Sequence, residues 1–230
     1  MNRLRYIIFL AVFPLVLLPT LLWGQQEAAS VHFKNGLRHQ RYADYQSAAA
    51  DFSQAIALAP EKPEYHLERA RSYIHLLKIT QALDDLRGIG LDNNPRAAFY
   101  SGLCLALSGE YGQALEEFRV AESGGVIEAS NYYRGLAQYN EGEYAEANEN
   151  FAKALEGEFP FAAYFLRGRN YTAKGDLDIA ISDFSQMIEL KPDFAPVYRL
   201  RADLYEKIGD KYHARLDHQK AEELEKNQEK

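Results

Sequence analysis

Residues Phe161–Phe194 read FAAYFLRGRNYTAKGDLDIAISDFSQMIELKPDF, and this stretch decides the fold. Its first part, Ala162–Lys174, holds no Pro and carries Ala163, Leu166 and Tyr171 at helical spacing. Gly175-Asp176 breaks it, Gly being a common residue just past a helix end. A second helix follows through Leu177, Ala180, Ile181, Phe184, Met187 and Ile188, one apolar stripe at steps of three and four. Lys191-Pro192 ends that helix, since Pro cannot continue it and biases its predecessor away from helical angles. The unit is a helix, a tight turn and a second helix. Gly168 and Ala180 leave no bulk where the two helices cross, and Phe184 fills the space beside them.

The same register extends outward in both directions. Ala48, Ala82, Ala114, Ala147, Ala180 and Ala214 recur at steps of 34, 32, 33, 33 and 34 residues. Four residues after each stands Phe52, Leu86, Phe118, Phe151, Phe184 or His218. Twelve before each stands Gly36, Ala70, Gly102, Gly135, Gly168 or Ala202. A self-similar period near 34 predicts a stacked array of helix pairs, in which each unit buries its apolar face on its neighbours.

The turns of these units read Ala43-Asp44-Tyr45, Gly109-Glu110-Tyr111, Gly142-Glu143-Tyr144, Gly175-Asp176-Leu177 and Gly209-Asp210-Lys211. Closing prolines match at Pro60 and Pro192, with Pro95 and Pro160 one residue late. Together these features resemble the tetratricopeptide repeat family, over Ala29 to about Leu224. The resemblance implies an all-α, right-handed α-solenoid of six helix-turn-helix repeats, at 29–62, 63–94, 95–127, 128–160, 161–194 and 195–224. Residues 25–28 then form a short linker and 225–230 a charged tail. The second unit departs from the pattern. Leu77-Lys78-Ile79 replaces the Gly turn, and Gly88 and Gly90 predict a short second helix, each Gly costing about 1 kcal/mol relative to Ala. The last unit carries His218 in the aromatic position, as expected of a terminal repeat with no next neighbour.

Within this family the first helix of each pair lines a concave groove that holds extended peptides. The resemblance assigns Phe33, Leu67, Arg71, Phe99 and Leu103 to that groove in the first three units. In the fourth and fifth it assigns Tyr132, Leu136, Tyr139, Phe165 and Arg169. The Lys and Asn set by which some members clamp a C-terminal carboxylate is missing. Two readings of the apolar stripe stand open. It is buried by tight winding, or it is an interaction surface, rich in the Tyr and Arg that dominate hot spots.

The chain has 230 residues and a formal charge of −7, with no concentrated basic face to suit nucleic acid. Arg3 and Arg5 precede an uncharged run, Tyr6 to Trp23, and then Gly24. That order reads as residues 1–24 forming a signal peptide or, alternatively, a membrane anchor through residues 6–23. Either reading places the repeats outside the cytoplasmic membrane, periplasmic or secreted, with the membrane touched only through this segment if it is uncleaved. The single cysteine, Cys104, rules out an intrachain disulfide and reads as a small buried hydrophobe.

Catalytic signatures are missing: there is no His-Glu-x-x-His, no Gly-x-Ser-x-Gly and no phosphate loop. His32, His39, His66 and His75 are scattered, while His213 and His218, five apart, fall on different helix faces. The expectation is therefore a non-enzymatic scaffold with no catalytic residue, no cofactor and no metal, exported to a cell-envelope assembly. Its partner would be a protein or peptide segment with apolar anchors. A polysaccharide-binding accessory protein, stacking sugars on groove aromatics, is the alternative.

Overall fold

The computed structural model describes residues 23–91, 94–157 and 160–228; of the leader expected over 1–24, residues 1–22 lie outside them. Among the described residues there are twelve α-helices and no strand. Two units are distinguished, Met1–Ser108 and Gly109–Lys230. No described helix is long and apolar enough to cross a membrane.

The first unit contains α1 (residues 23–41), α2 (Tyr45–Leu58), α3 (Pro63–His75), α4 (Ile79–Gly88) and α5 (Pro95–Leu107). Helix α1 takes in 25–28, set apart above as a linker, because nothing after Gly24 interrupts helix formation in Gln25-Gln26-Glu27-Ala28. Each of the next helices packs on its neighbour in sequence. Ala29 and Phe33 of α1 join Ala55 and Ala59 and reach Tyr65 of α3. Leu67, Ala70, Ala82, Leu86, Ala97 and Cys104 form a second cluster across α3, α4 and α5. Burial pushes the Cys104 thiol up to about 12, so it stays a protonated hydrophobe, as its flanking leucines suggest. Helix α4 is the ten-residue element that its glycines predict.

The second unit contains α6 (Tyr111–Ser123), α7 (Glu128–Glu141), α8 (Tyr144–Ala154), α9 (Pro160–Lys174), α10 (Leu177–Leu190), α11 (Ala195–Lys207) and α12 (Lys211–Gln228). Consecutive helices pack on one another throughout. Phe151 and Phe184 are buried beside Ala147 and Ala180 as the register requires. Helix α12 continues past Leu224 into the segment read as a charged tail. Ala221 and Leu224 dock on Ala195, Tyr198 and Ile188, and Arg199 grips Glu225 at 2.5 Å.

Each pair turns through one residue in the left-handed region: Ala43, Leu77, Gly109, Gly142, Gly175 and Gly209. The following amide then donates back across the turn, as Asp176 N to Tyr171 O at 3.0 Å and Glu143 N to Gln138 O at 2.8 Å. This closes the helix end. Pro95 and Pro160 open α5 and α9 rather than closing the helices before them. The first turn of a helix tolerates Pro because its amides lack intrahelical acceptors anyway.

Candidate functional site

The groove residues divide by burial. In the first unit Leu67 and Phe99 are 4% and 9% exposed and belong to the core, in line with the buried reading of the stripe at these two positions. Leu67 packs in the cluster of Leu86 and Cys104, and Phe99 sits edge-on to Tyr100. Phe33 is half-buried, 4.7 Å from Tyr65 and 5.7 Å from Phe52 between ring centres. Leu103 is half-buried against the same core.

Arg71 is tied down. It donates to Glu68 at 2.5 Å, and its guanidinium lies 5.6 Å over the Tyr100 ring. Glu68, itself buried, is also 3.5 Å from Arg96. Gln40 of α1 bridges to the Glu68 carbonyl at 2.9 Å and the Ser72 hydroxyl at 3.0 Å.

In the second unit Tyr132, Leu136, Tyr139 and Phe165 are all half-buried. Tyr132 and Tyr139 pack on Ala147, Phe151, Ala154 and Ala163, and burial raises the Tyr132 phenol above its ordinary range. Tyr139 meets Tyr144 edge-on at 5.7 Å. Phe165 packs on the Ala180–Phe184 cluster. Arg169 differs from Arg71. It is exposed, no ion pair holds it among the described residues, and its guanidinium lies 5.7 Å over Phe165. Helices α7 and α9, the first members of consecutive pairs, touch each other.

The sequence reading passed over a recurring ionic clamp. Arg167 donates through Nε and a terminal nitrogen to Asp183 at 3.0 and 2.6 Å. Arg69 does the same to Asp85 at 2.8 and 2.6 Å, and Arg201 to Asp217 at 2.8 and 2.8 Å. Arg69 and Arg201 also donate to Ser53 and Ser185, hydroxyls on the preceding helix pair. Hydrogen bonding to the carboxylate raises each Arg above its ordinary value, so all three remain charged. The signal was present: in these three pairs Arg stands immediately before the small residue, and Asp three after the Ala.

In the fourth pair Asn150 replaces that Asp. Arg134 turns instead to Glu122, leaving its Nε and the Asn150 Oδ1 buried without a hydrogen-bond partner. Asn150 donates to Gln138 at 2.6 Å.

Histidines and carboxylates alternate on the first pair. Asp51 lies between His32 at 3.1 Å and His39 at 3.6 Å, and His39 reaches Asp44 at 3.3 Å. His32 and His39 are seven apart on α1, two helical turns on one face, which is why single scattered positions in the sequence meet here.

Comparison with known proteins follows this geometry. The tetratricopeptide repeat family model matches residues 33–89 and 132–195, over half of the chain. No curated protein matches. Among solved structures, the chain resembles the one reported for Pseudomonas aeruginosa pilF, with a TM-score of 0.71 and 16% identity over 84% of this chain and 90% of that one. It also resembles YrrB, described as a TPR protein with an unusual peptide-binding site, with a TM-score of 0.62 and 20% identity over 75% and 91% of the two chains. A chain of the APC/C hetero-tetramer Cut9–Hcn1 gives a TM-score of 0.69 and 18% identity; 87% of this chain matches 40% of that one. At such identities the likeness is one of fold alone. The family match, the turn geometry and the small-residue crossings together establish that the chain belongs to the tetratricopeptide repeat family.

Proposed function

We propose that this protein is an exported, non-enzymatic scaffold that holds an extended segment of a partner protein against the first helices of its second unit. Tetratricopeptide repeats serve as protein–protein interaction modules, which sets the class. The observation that supports the finer reading is the pairing of Arg169 with Phe165 on α9, a helix in contact with α7, which carries Leu136 and Tyr139. An exposed guanidinium not tied to a carboxylate is available to a partner's carbonyls or carboxylates, and Arg forms planar, directional contacts with both. The half-buried aromatics supply apolar anchors that are already ordered, which lowers the entropy cost of binding.

Export rests on the order of Arg3, Arg5, the apolar run and Gly24. Intact mass and cell fractionation check it, and a full-length cytoplasmic form as the main species would contradict it. The binding face is checked by placing a photocrosslinking amino acid at Arg169 and, as a control, at exposed Glu149 on α8. Crosslinks to one recurring partner peptide are expected from position 169 and not from 149. Equal crosslinking from both would overturn the assignment. So would retention on polysaccharide that depends on Tyr132 and Tyr139 but not on Arg169.

A further inference from the structure

In the sixth pair His218 stands where the other pairs hold Phe52, Leu86, Phe118, Phe151 and Phe184, all of them almost fully buried. The His218 side chain is 34% exposed, and its Nε2 lies 3.2 Å from Glu206 Oε1 on α11. Asp203 stands one turn before Glu206 on the same helix. One carboxylate oxygen from each and a ring nitrogen of His218 all lie within 4.8 Å of one another. Glu206 and His218 also border a cleft of about 580 Å³ that Lys211, Arg215 and Glu222 help to line.

We propose that Asp203, Glu206 and His218 form a binding site for a divalent transition-metal ion of the zinc class, with one position open toward the cleft. The donor set is the first reason. One imidazole nitrogen and two carboxylate oxygens are ligands that zinc accepts, at about 2.0–2.2 Å each. Calcium and magnesium favour all-oxygen shells, so the imidazole selects against them. Distance is the second reason. Donors on one tetrahedral ion sit about 3.4 Å apart at those bond lengths. Exposed Asp and Glu side chains close the remaining gap by ordinary rotamer changes.

Charge is the third reason. Two carboxylates offset the charge of the ion, and two neighbouring acids are already committed elsewhere. Asp217 is held by Arg201 at 2.8 Å, and Asp210 by His213 at 2.6 Å. An ion here ties α11 to α12. Because its ligands converge only in the folded pair, it stabilises that pair by mass action. This inference stands apart from the binding face on α7 and α9.

The test uses the full chain, stripped with a chelator and titrated with Zn²⁺ by calorimetry. Co²⁺ serves as a second probe, read by its visible absorption. The expected result is one saturable equivalent per chain and a higher melting temperature. Glu206→Gln and His218→Gln should each weaken binding by more than about tenfold. His213→Gln, on the same helix five residues away, should leave it unchanged. Circular dichroism establishes that each variant is folded, and Asp203→Asn gives an independent reading should His218→Gln lose its helix. Absence of saturable one-equivalent binding overturns the proposal. So does wild-type affinity in His218→Gln, or an equal loss in His213→Gln.

Discussion

Gly168 and Phe184 are in steric contact: a Cβ built on Gly168 would lie 2.8 Å from Cε1 of the Phe184 ring. The same relation holds for Gly36 with Phe52 at 2.5 Å and Gly135 with Phe151 at 2.7 Å. Where the ring is replaced, the glycine is replaced too. Ala70 faces Leu86, and Ala202 stands in the pair that carries His218. In these pairs the small residue and the large one form a single packing unit.

From this follows a double-mutant cycle. Gly168→Ala alone should destabilise the protein by about 1–3 kcal/mol through overpacking. Adding Phe184→Leu should restore part of that loss, because the second pair already carries the Ala–Leu combination. Urea denaturation of the two single variants and the double variant reads the coupling. Strict additivity would contradict the packing unit.

A second prediction concerns the clamp. Asp183 is 2% exposed and holds Arg167 by two hydrogen bonds. Asp183→Asn keeps the shape but removes the charge that Arg167 pairs with. A loss of about 3 kcal/mol is expected, the low end for breaking a buried pair from one side. Replacing both residues with apolar ones of similar size should cost less than Asp183→Asn alone, because no buried charge is then left unpaired. Denaturant midpoints of the three chains decide it.

The turn of the second pair offers a stabilising change. Leu77 sits at φ +56° with its side chain in solvent, 76% exposed. A non-glycine residue in the left-handed region costs about 1–2 kcal/mol, and here no packing offsets it. Leu77→Gly should raise stability by about 1 kcal/mol, after allowing for the greater freedom of Gly in the unfolded chain. The expected sign is an increase in melting temperature with unchanged helicity.

Acid sensitivity has a specific site in the first unit. His75 stacks on Tyr45 with ring centres 4.0 Å apart, and burial, then the nearby Arg71, holds its imidazole below the ordinary histidine range. The folded chain therefore binds its proton less readily than the unfolded chain does. The resulting stability is present above the ordinary histidine value of about 6.5 and is lost as pH falls through the lowered value. His75→Phe keeps the stacking and removes the titration. Below about pH 6 the variant should lose less stability than the parent chain does. The other histidines are common to both chains, so the difference in urea midpoints isolates this one.

Several features were legible in the sequence because they repeat. The spacing of Ala48 through Ala214 determined the helix pairs, and each Gly-Asp or Gly-Glu located a turn. The small-to-large pairing of Gly168 with Phe184 could be read from one unit alone, since both residues lie within a single helix hairpin. Tertiary structure decided what depends on angle rather than on spacing. It placed Leu67 and Phe99 in the core and left Phe165 with an exposed Arg169, although all four were assigned to one inward stripe. A period of 3.6 fixes the face of a helix only to within a residue or so, and the neighbouring helix settles which side of that face is covered. The convergence of Asp203 and Glu206 on His218 was hidden for the same reason. The donors belong to two helices, and no run of residues along either one contains the set. Sequence period sets the elements; the crossing of those elements in space sets which side chains meet.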